Sequence, residues 1–215
     1  NRIGSCSATT REGIGAAMAA KVLREYSCLL AGNVPELKRY LNDTAYLINR
    51  HLERDEIVLL EGAQGFGLSL DHGHFPYVTS RDTSATALAA SVGIATHEFP
   101  VSVIGVTRTY PIRVAGNSGP FGQDARELTW QEVTVCSGAP NPIIERTSVS
   151  NKIRRVAAFS KKEFAKACAI NRPTEIAITF ADYLDWQLHE KTGSSPKLDS
   201  FMDMIESIAH APVTL

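Results

Sequence analysis

The stretch Glu61–Thr83, EGAQGFGLSLDHGHFPYVTSRDT, follows the apolar run Ile57-Val58-Leu59-Leu60, so a short buried strand is expected to end in glycines and hydroxyls. Gly62, Gly65 and Gly67 carry no Cβ, which lets backbone N–H groups approach a ligand closely. A phosphate or a purine suits such a loop, although glycines alone also serve to turn a chain. Gln64, set between glycines, adds one acceptor and two donors, the equipment for gripping the edge of a purine.

Outward from this stretch the chain alternates helix and strand. Ile14, Met18 and Val22 recur at four-residue spacing in an alanine-rich segment, which predicts a helix from the Thr9-Thr10 region to about Tyr26. Asn33 and Glu36 have capping-box spacing, Pro35 lies in the first turn, and Leu37, Leu41, Ile48 and Leu52 share a face, predicting a second helix to about Asp55. Ala85 to Ser91 reads as a helix capped by Asp82 or Thr83, and Val101 to Val106 as a buried strand. The glycine- and proline-rich region from Pro111 to Val149 reads as loops with a short strand or two. Ser160 and Glu163 begin a further helix through Ala169, Pro173 precedes a strand from Glu175 to Phe180, and Lys191 to Pro196 is a polar linker. Leu198, Met202, Ile205 and Ala209 mark a last helix before a strand at Val213. The rhythm predicts an α/β fold, a mostly parallel sheet flanked by helices with ligands at the strand ends.

The 215 residues, 44% hydrophobic, suffice for a substantial core in one domain or two. A net charge of −1 argues against a nucleic-acid binder, and no apolar run approaches the ~20 residues that span a bilayer. Lys152, Arg154 and Arg155 form the one compact basic cluster, suited to a single phosphate or carboxylate. Cys6, Cys28, Cys136 and Cys168 form no C-x-x-C pair, so reduced thiols and a cytoplasmic setting are expected. His72 and His74 flank Gly73 without further ligands nearby and read as loop-ordering residues, so no metal site is expected within the chain. No G-x-x-x-x-G-K-(S/T) occurs, which counts against an unrelated P-loop NTPase.

The run EGAQG followed by DHGHFPYVTS resembles the signature of the adenylosuccinate synthetase family. Further segments agree in the family's order: Gly13-Ile14-Gly15 with Lys21-Val22-Leu23-Arg24, Thr109 to Val114 with Ser118 to Phe121, Thr147 to Arg155, and Asn171 to Asp185. TRTYPIRV and TFADYLD are similar to the short phage and archaeal-type members, which include 2-aminoadenylosuccinate synthase-like enzymes. The resemblance implies a fold related to P-loop NTPases, with residues 1–215 forming the central and C-terminal part of one domain and the chain cut at both ends. It implies a homodimeric ligase of purine biosynthesis that condenses L-aspartate with IMP, or with dGMP as in phage-type enzymes. The γ-phosphoryl group of GTP or of ATP/dATP is first placed on the purine C6 oxygen, with Mg²⁺.

Carried over position by position, the resemblance makes Gln64 the residue acting in the chemistry, and Thr10 (or Thr9), Gln64, Thr79, Lys152 and a partner-subunit Arg24 the ligands of the monophosphate substrate. Val149, Ser150, Lys152 and Arg154 fall on the aspartate-binding loop, with Lys152 in place of an arginine, Asn151 of a glycine and Val149 of a hydroxyl. Asp182 occupies the place of the carboxylate that accepts from the triphosphate base, and Phe180 stands where lysine packs on guanine, so guanine selectivity no longer follows. The rival from another class is a noncatalytic nucleotide-binding or assembly module of the same fold.

Overall fold

The computed structural model describes residues 13–148 and 150–214. They fall into two units, here treated separately: an N-terminal unit of residues 13–73 with Val78–Val101, and a C-terminal unit of His74–Tyr77 with residues 102–214.

The C-terminal unit carries the sheets. β1 (Ile104–Arg108) pairs in parallel with β5 (Glu175–Thr179), in a register that sets Ile104 beside Glu175 and Arg108 beside Thr179. Val213 extends this ladder by a parallel bridge to Ile176. A separate antiparallel sheet is ordered β2-β4-β3, from β2 (Ile112–Arg113), β3 (Glu127–Leu128) and β4 (Arg155–Ala157). The alternation of helix and strand thus gives the expected α/β architecture, with an antiparallel sheet that the sequence pattern does not show.

Two cores hold this unit. Ile176 and Ile178 alternate onto the buried face of β5 and meet Phe201 and Ile205 of α6 (Pro196–Ala209), with Phe159 and Phe164 packed alongside. α6 starts cleanly because Ser195 accepts from Leu198 N–H and Pro196 occupies the first turn. α5 (Lys161–Asn171) is capped in the same way by Ser160. The second core gathers Trp130, Val133, Ile143 and Val156. Trp130 and Val133 belong to α4 (Trp130–Ser137), a helix inside the stretch expected to be loop, where Thr129 and Glu132 form a reciprocal capping box and Gly138 closes the helix in the left-handed conformation.

In the N-terminal unit α1 (Ile14–Val22) stops short of Tyr26, because the chain turns at Arg24 with φ +56°. The expected second helix is divided. Pro35–Tyr40 is a 3-10 helix, Leu41 is extended, and α2 (Thr44–Leu52) begins afresh at Asp43, whose carboxylate accepts from Tyr46 N–H at 2.9 Å. Asn42 accepts from Asp43 N–H, so two short polar side chains in succession offer the backbone a turn in place of a helix. Residues 57–60 belong to no helix or strand and carry no ladder among the described residues. Ile57 and Leu59 are exposed while Val58 and Leu60 are half-buried, the alternation of a strand without its partner.

The loops after this run are tied to one another. Thr79 N–H donates to the Leu68 carbonyl at 2.8 Å, Leu70 N–H to Arg81 at 3.0 Å, and the Thr83 hydroxyl to Gly65 at 3.2 Å. Ser69, fully buried, donates to Asp82 at 2.7 Å, and Asp82 also accepts from the Ser84 hydroxyl at 2.8 Å and its N–H at 3.0 Å. Ser84 rather than Asp82 or Thr83 caps α3 (Ala85–Ser91). Gly73 is required by space, since a Cβ there would lie 2.6 Å from the carbonyl oxygens of Gly67 and Ser69. His72 stacks on Phe66 at 5.8 Å, ordering the same loop.

Ile205 is fully buried, so Ile205→Ala is expected to destabilise the C-terminal unit by about 2–5 kcal/mol. Both tryptophans, Trp130 and Trp186, lie in that unit, so denaturant unfolding followed by fluorescence reads it; a change below about 1 kcal/mol contradicts this packing. Burial pushes the Asp82 carboxyl up, but the hydrogen bonds from Ser69 and Ser84, with His72 nearby, outweigh it and hold the group below its ordinary 3.8. A depressed folded value means stability present above pH 3.8 and lost as pH falls through the lower folded value. Hydrogen exchange at the α3 amides should show this acid loss in the native chain, and Asp82→Asn should lower protection at neutral pH and flatten the acid limb.

Candidate active site

Within the N-terminal unit Gln64 is exposed on the glycine loop with φ +63°. A left-handed glutamine costs about 1–2 kcal/mol relative to glycine, so the loop holds this side chain outward at some expense to stability. The neighbouring residues explain how. The Gly65 carbonyl is held by Thr83, and Phe66–Leu68 closes as a 3-10 turn directly after it. Thr79 lies on the opposing segment, its N–H bonded to Leu68 and its hydroxyl without a partner among the described residues.

Beside them a cavity of about 180 Å³ is lined by Gly62, Ala63, Arg81, Asp82, Thr83 and Leu88. Ligand pockets for a whole small molecule run to about 300–1,000 Å³, so this space accepts a phosphate or part of a ring rather than a nucleotide. Arg81 contributes a guanidinium there that sequence reading passed over, although it stands in the same Thr-Ser-Arg-Asp-Thr run. Arg24 is exposed just past α1, and its side chain has no partner among the described residues. Thr9 and Thr10 lie outside the described residues, as does Val149.

In the C-terminal unit the loop from Glu145 to Arg155 folds into a tight hairpin. Thr147 N–H donates to Lys152 O at 2.9 Å and Asn151 N–H to Thr147 O at 2.9 Å, while the Thr147 and Ser150 hydroxyls meet at 2.6 Å. Asn151 adopts φ +51°, the conformation a glycine at that place would take freely. The hairpin is anchored at its base by Trp130 Nε1, which donates to Arg154 O at 2.8 Å. Lys152 points its ammonium into no partner among the described residues, and Arg154 Nε reaches Arg146 O at 3.3 Å.

Arg155 leaves the basic cluster read from the sequence. Its guanidinium forms a two-pronged pair with Glu127 at 2.7 and 2.6 Å and reaches Ser118 Oγ and Gly119 O, so it braces the β2-β4-β3 sheet. The Glu127 hydrogen bonds raise the Arg155 pKa. Arg113 acts likewise, spending three N–H groups on the carbonyls of Ser118, Pro120 and Tyr77. His74 is 3.3 Å from Glu163, a loop contact of the same kind.

At the C-terminal end of the parallel ladder, Arg108 of TRTYPIRV and Phe180 and Tyr183 of TFADYLD come together with Glu145, a grouping that the motifs do not disclose. Arg108, the last residue of β1, pairs with Glu145, and its guanidinium lies 3.6 Å over the Phe180 ring. Its Nε is buried without a hydrogen-bond partner among the described residues. Burial and the Glu145 charge push the Tyr183 phenol up to about 12, so it stays protonated and donates to Glu145. Phe180 is left-handed (φ +61°), and the buried Thr109 hydroxyl fixes its carbonyl at 2.6 Å. The ring expected to stack on a base therefore already carries an arginine on one face, with 39% of the residue still exposed. Asp182 lies in the Ala181–Tyr183 turn that follows.

Among the described residues no group of three or more His, Cys, Asp or Glu side chains could hold a metal ion, and no helix is long and apolar enough to cross a membrane. Cys28, Cys136 and Cys168 are free thiols, and Cys6 lies outside the described residues.

Residues 29–190 match the family model described as adenylosuccinate synthetase. The adenylosuccinate synthetases of Methanocaldococcus jannaschii and Archaeoglobus fulgidus are 38% and 37% identical to this chain over 96% of its length, covering 57% and 58% of their own. The chain thus spans little more than half the length of the curated relatives it matches. Among solved structures, the succinoaminodeoxyadenylate synthetase (PurZ) of cyanophage S-2L, bound to dGMP and to dATP as an energy donor, superimposes with a TM-score of 0.80 at 30% identity over 99% of this chain and 59% of its own. The fully ligated adenylosuccinate synthetase of Plasmodium falciparum shares the fold, with a TM-score of 0.65 at 19% identity over 92% of this chain and 57% of its own. By the family match across most of its length, this chain belongs to the adenylosuccinate synthetase family.

Proposed function

We propose that this chain is the central and C-terminal part of a single-domain ligase that condenses L-aspartate with a purine nucleoside monophosphate, driven by a nucleoside triphosphate. The observation that carries the reading is Gln64, held outward in a strained left-handed conformation on a glycine loop that is tied to Thr79 and the cavity at Arg81. Phosphorylating a purine at O6 develops negative charge on that oxygen, and a side-chain amide N–H aimed at it stabilises the charge. The Thr79 hydroxyl, without a partner among the described residues, suits the monophosphate, as does Thr10 by resemblance. IMP and dGMP both carry the oxygen at the six-position, and the phage relative's dGMP complex keeps both as substrates in this reading.

Lys152 and Arg154 supply the positive charge for the aspartate carboxylates, with Ser150 beside them on the hairpin and Val149 assigned by resemblance. Lysine provides a point charge where an arginine would give two parallel bonds, so aspartate is held by fewer directed contacts. Asp182 and Phe180 meet the base of the donor, GTP or ATP/dATP. Among the described residues no group of three or more His, Cys, Asp or Glu side chains is placed to hold Mg²⁺. Arg24, exposed beside the apolar side chains Val22 and Leu23, is read as reaching the phosphate of a neighbouring subunit in a homodimer. The setting is read as the cytoplasm.

Gln64→Met in the full-length protein is expected to lower ligation turnover on the order of a hundredfold or more, the scale of losing one oxyanion donor, with unfolding unchanged. Unaltered turnover removes Gln64 from the chemistry. Monophosphate binding without any product in the native protein selects the noncatalytic module instead. Arg24→Ala is expected to raise the apparent Km for the monophosphate about tenfold or more while the dimer seen by light scattering persists; a normal Km excludes the cross-subunit role.

A further inference from the structure

An imidazole that belongs to none of the sequence motifs lies against Asp182. His189 Nδ1 is 2.9 Å from Asp182 Oδ2. With the carboxylate ionised, and therefore only an acceptor, Nδ1 is the donor. Trp186 stacks on the same imidazole, with ring centroids 3.9 Å apart and 16° between planes, and Trp186 packs against the core around Trp130 and Val133. The intervening chain is built to make this contact. Asp185 accepts from Gln187 N–H to start a 3-10 turn over Trp186–Leu188, and Leu188 is buried at its end. His189 is thus fixed from the core side and holds one oxygen of Asp182.

We propose that His189 selects the base of the triphosphate donor, favouring adenine over guanine. The proposal rests on reading Asp182 as the acceptor for that base. Guanine presents two donors side by side, N1–H and the N2 amino group, and a carboxylate matches them with both oxygens. Adenine presents its N6 amino donor beside N1, an acceptor, and needs only one carboxylate oxygen. His189 Nδ1–H takes one of the two acceptor sites of Oδ2, so among the described residues the oxygen with both sites open is Oδ1. Oδ1 alone serves adenine's single donor, whereas guanine's second donor has to share Oδ2 with the imidazole, and a site that leaves one donor of a bound base poorly matched discriminates against that base. Phe180 offers its ring face to either purine, so the discrimination falls to the polar edge at Asp182.

The test measures ATP and GTP dissociation constants by calorimetry on the full-length protein. The native protein is expected to bind ATP at least tenfold more tightly than GTP. His189→Ala frees Oδ2 and is expected to shift the ATP-to-GTP ratio toward GTP by on the order of ten- to a hundredfold, the scale of one charged hydrogen bond. His189→Asn, which keeps a donor beside Asp182, should retain most of the preference for ATP. Asp182→Ala separates the two readings, because it should weaken both nucleotides if Asp182 meets the base. If Asp182→Ala weakens both and His189→Ala leaves the ratio unchanged, the selecting role of His189 is overturned and the base site stands. If Asp182→Ala affects neither nucleotide, the base site itself is misassigned and the proposal falls with it.

Discussion

The arrangement of the C-terminal unit turns on the Arg108 guanidinium, a charge brought mostly out of water at the end of a parallel strand. It is 23% exposed, paired with a Glu145 that is 17% exposed, and covered by the Phe180 ring. A charge so placed is tolerable only when it is matched, because removing one partner of a buried pair leaves the other uncompensated. Each of its partners sits on a different segment. Glu145 opens the hairpin that carries Ser150, Lys152 and Arg154; Phe180 opens the turn that carries Asp182; Tyr183, protonated, closes the set on Glu145. One cation therefore fixes the mutual position of the two segments read as the aspartate and donor-base sites.

Around that cluster the fold supplies rigidity from behind. Trp130 reaches from the core to the Arg154 carbonyl, so the basic hairpin is hung on a buried indole. Arg113 and Arg155 fasten the loop from Ser118 to Pro120 to the small antiparallel sheet. The two arginines are consumed by these bonds, whereas Arg146, Lys152 and Arg154 on the hairpin keep donors with capacity for a ligand. The N-terminal unit uses a different device. There Ser69, Asp82 and Ser84 form a small buried polar network that orders the glycine loop and starts α3.

Much of this was legible because local signals and tertiary structure agree. Ser160 and Ser195 each precede a helix with apolar spacing, and both cap the helix that follows. The alternation in Glu175–Thr179 gives the buried strand directly. Other signals were present and outvoted. Thr129 and Glu132 form a capping box inside a glycine- and proline-rich window, and composition hid α4. The apolar face drawn from Leu37 to Leu52 ignored Asn42 and Asp43, whose side chains restart the helix at Thr44. The pattern of residues 57–60 is that of a strand, but a ladder needs a partner that the described residues do not provide. Gln64, Thr79, Ser150 and Lys152 lie on loops held by hydrogen bonds, whereas the pairing of Arg108 and Tyr183 with Glu145 joins segments far apart in sequence, so membership of TRTYPIRV and TFADYLD does not disclose it.

The reading of the whole site depends on where the Gln64 amide points when a purine is present. A crystal structure of the full-length protein soaked with IMP answers this: the amide nitrogen should lie within hydrogen-bond distance of the oxygen at the six-position, with the phosphate against Thr79. A bound nucleotide whose ring lies away from the glycine loop, with Gln64 turned toward solvent, would contradict the assignment of that residue and of the reaction built on it.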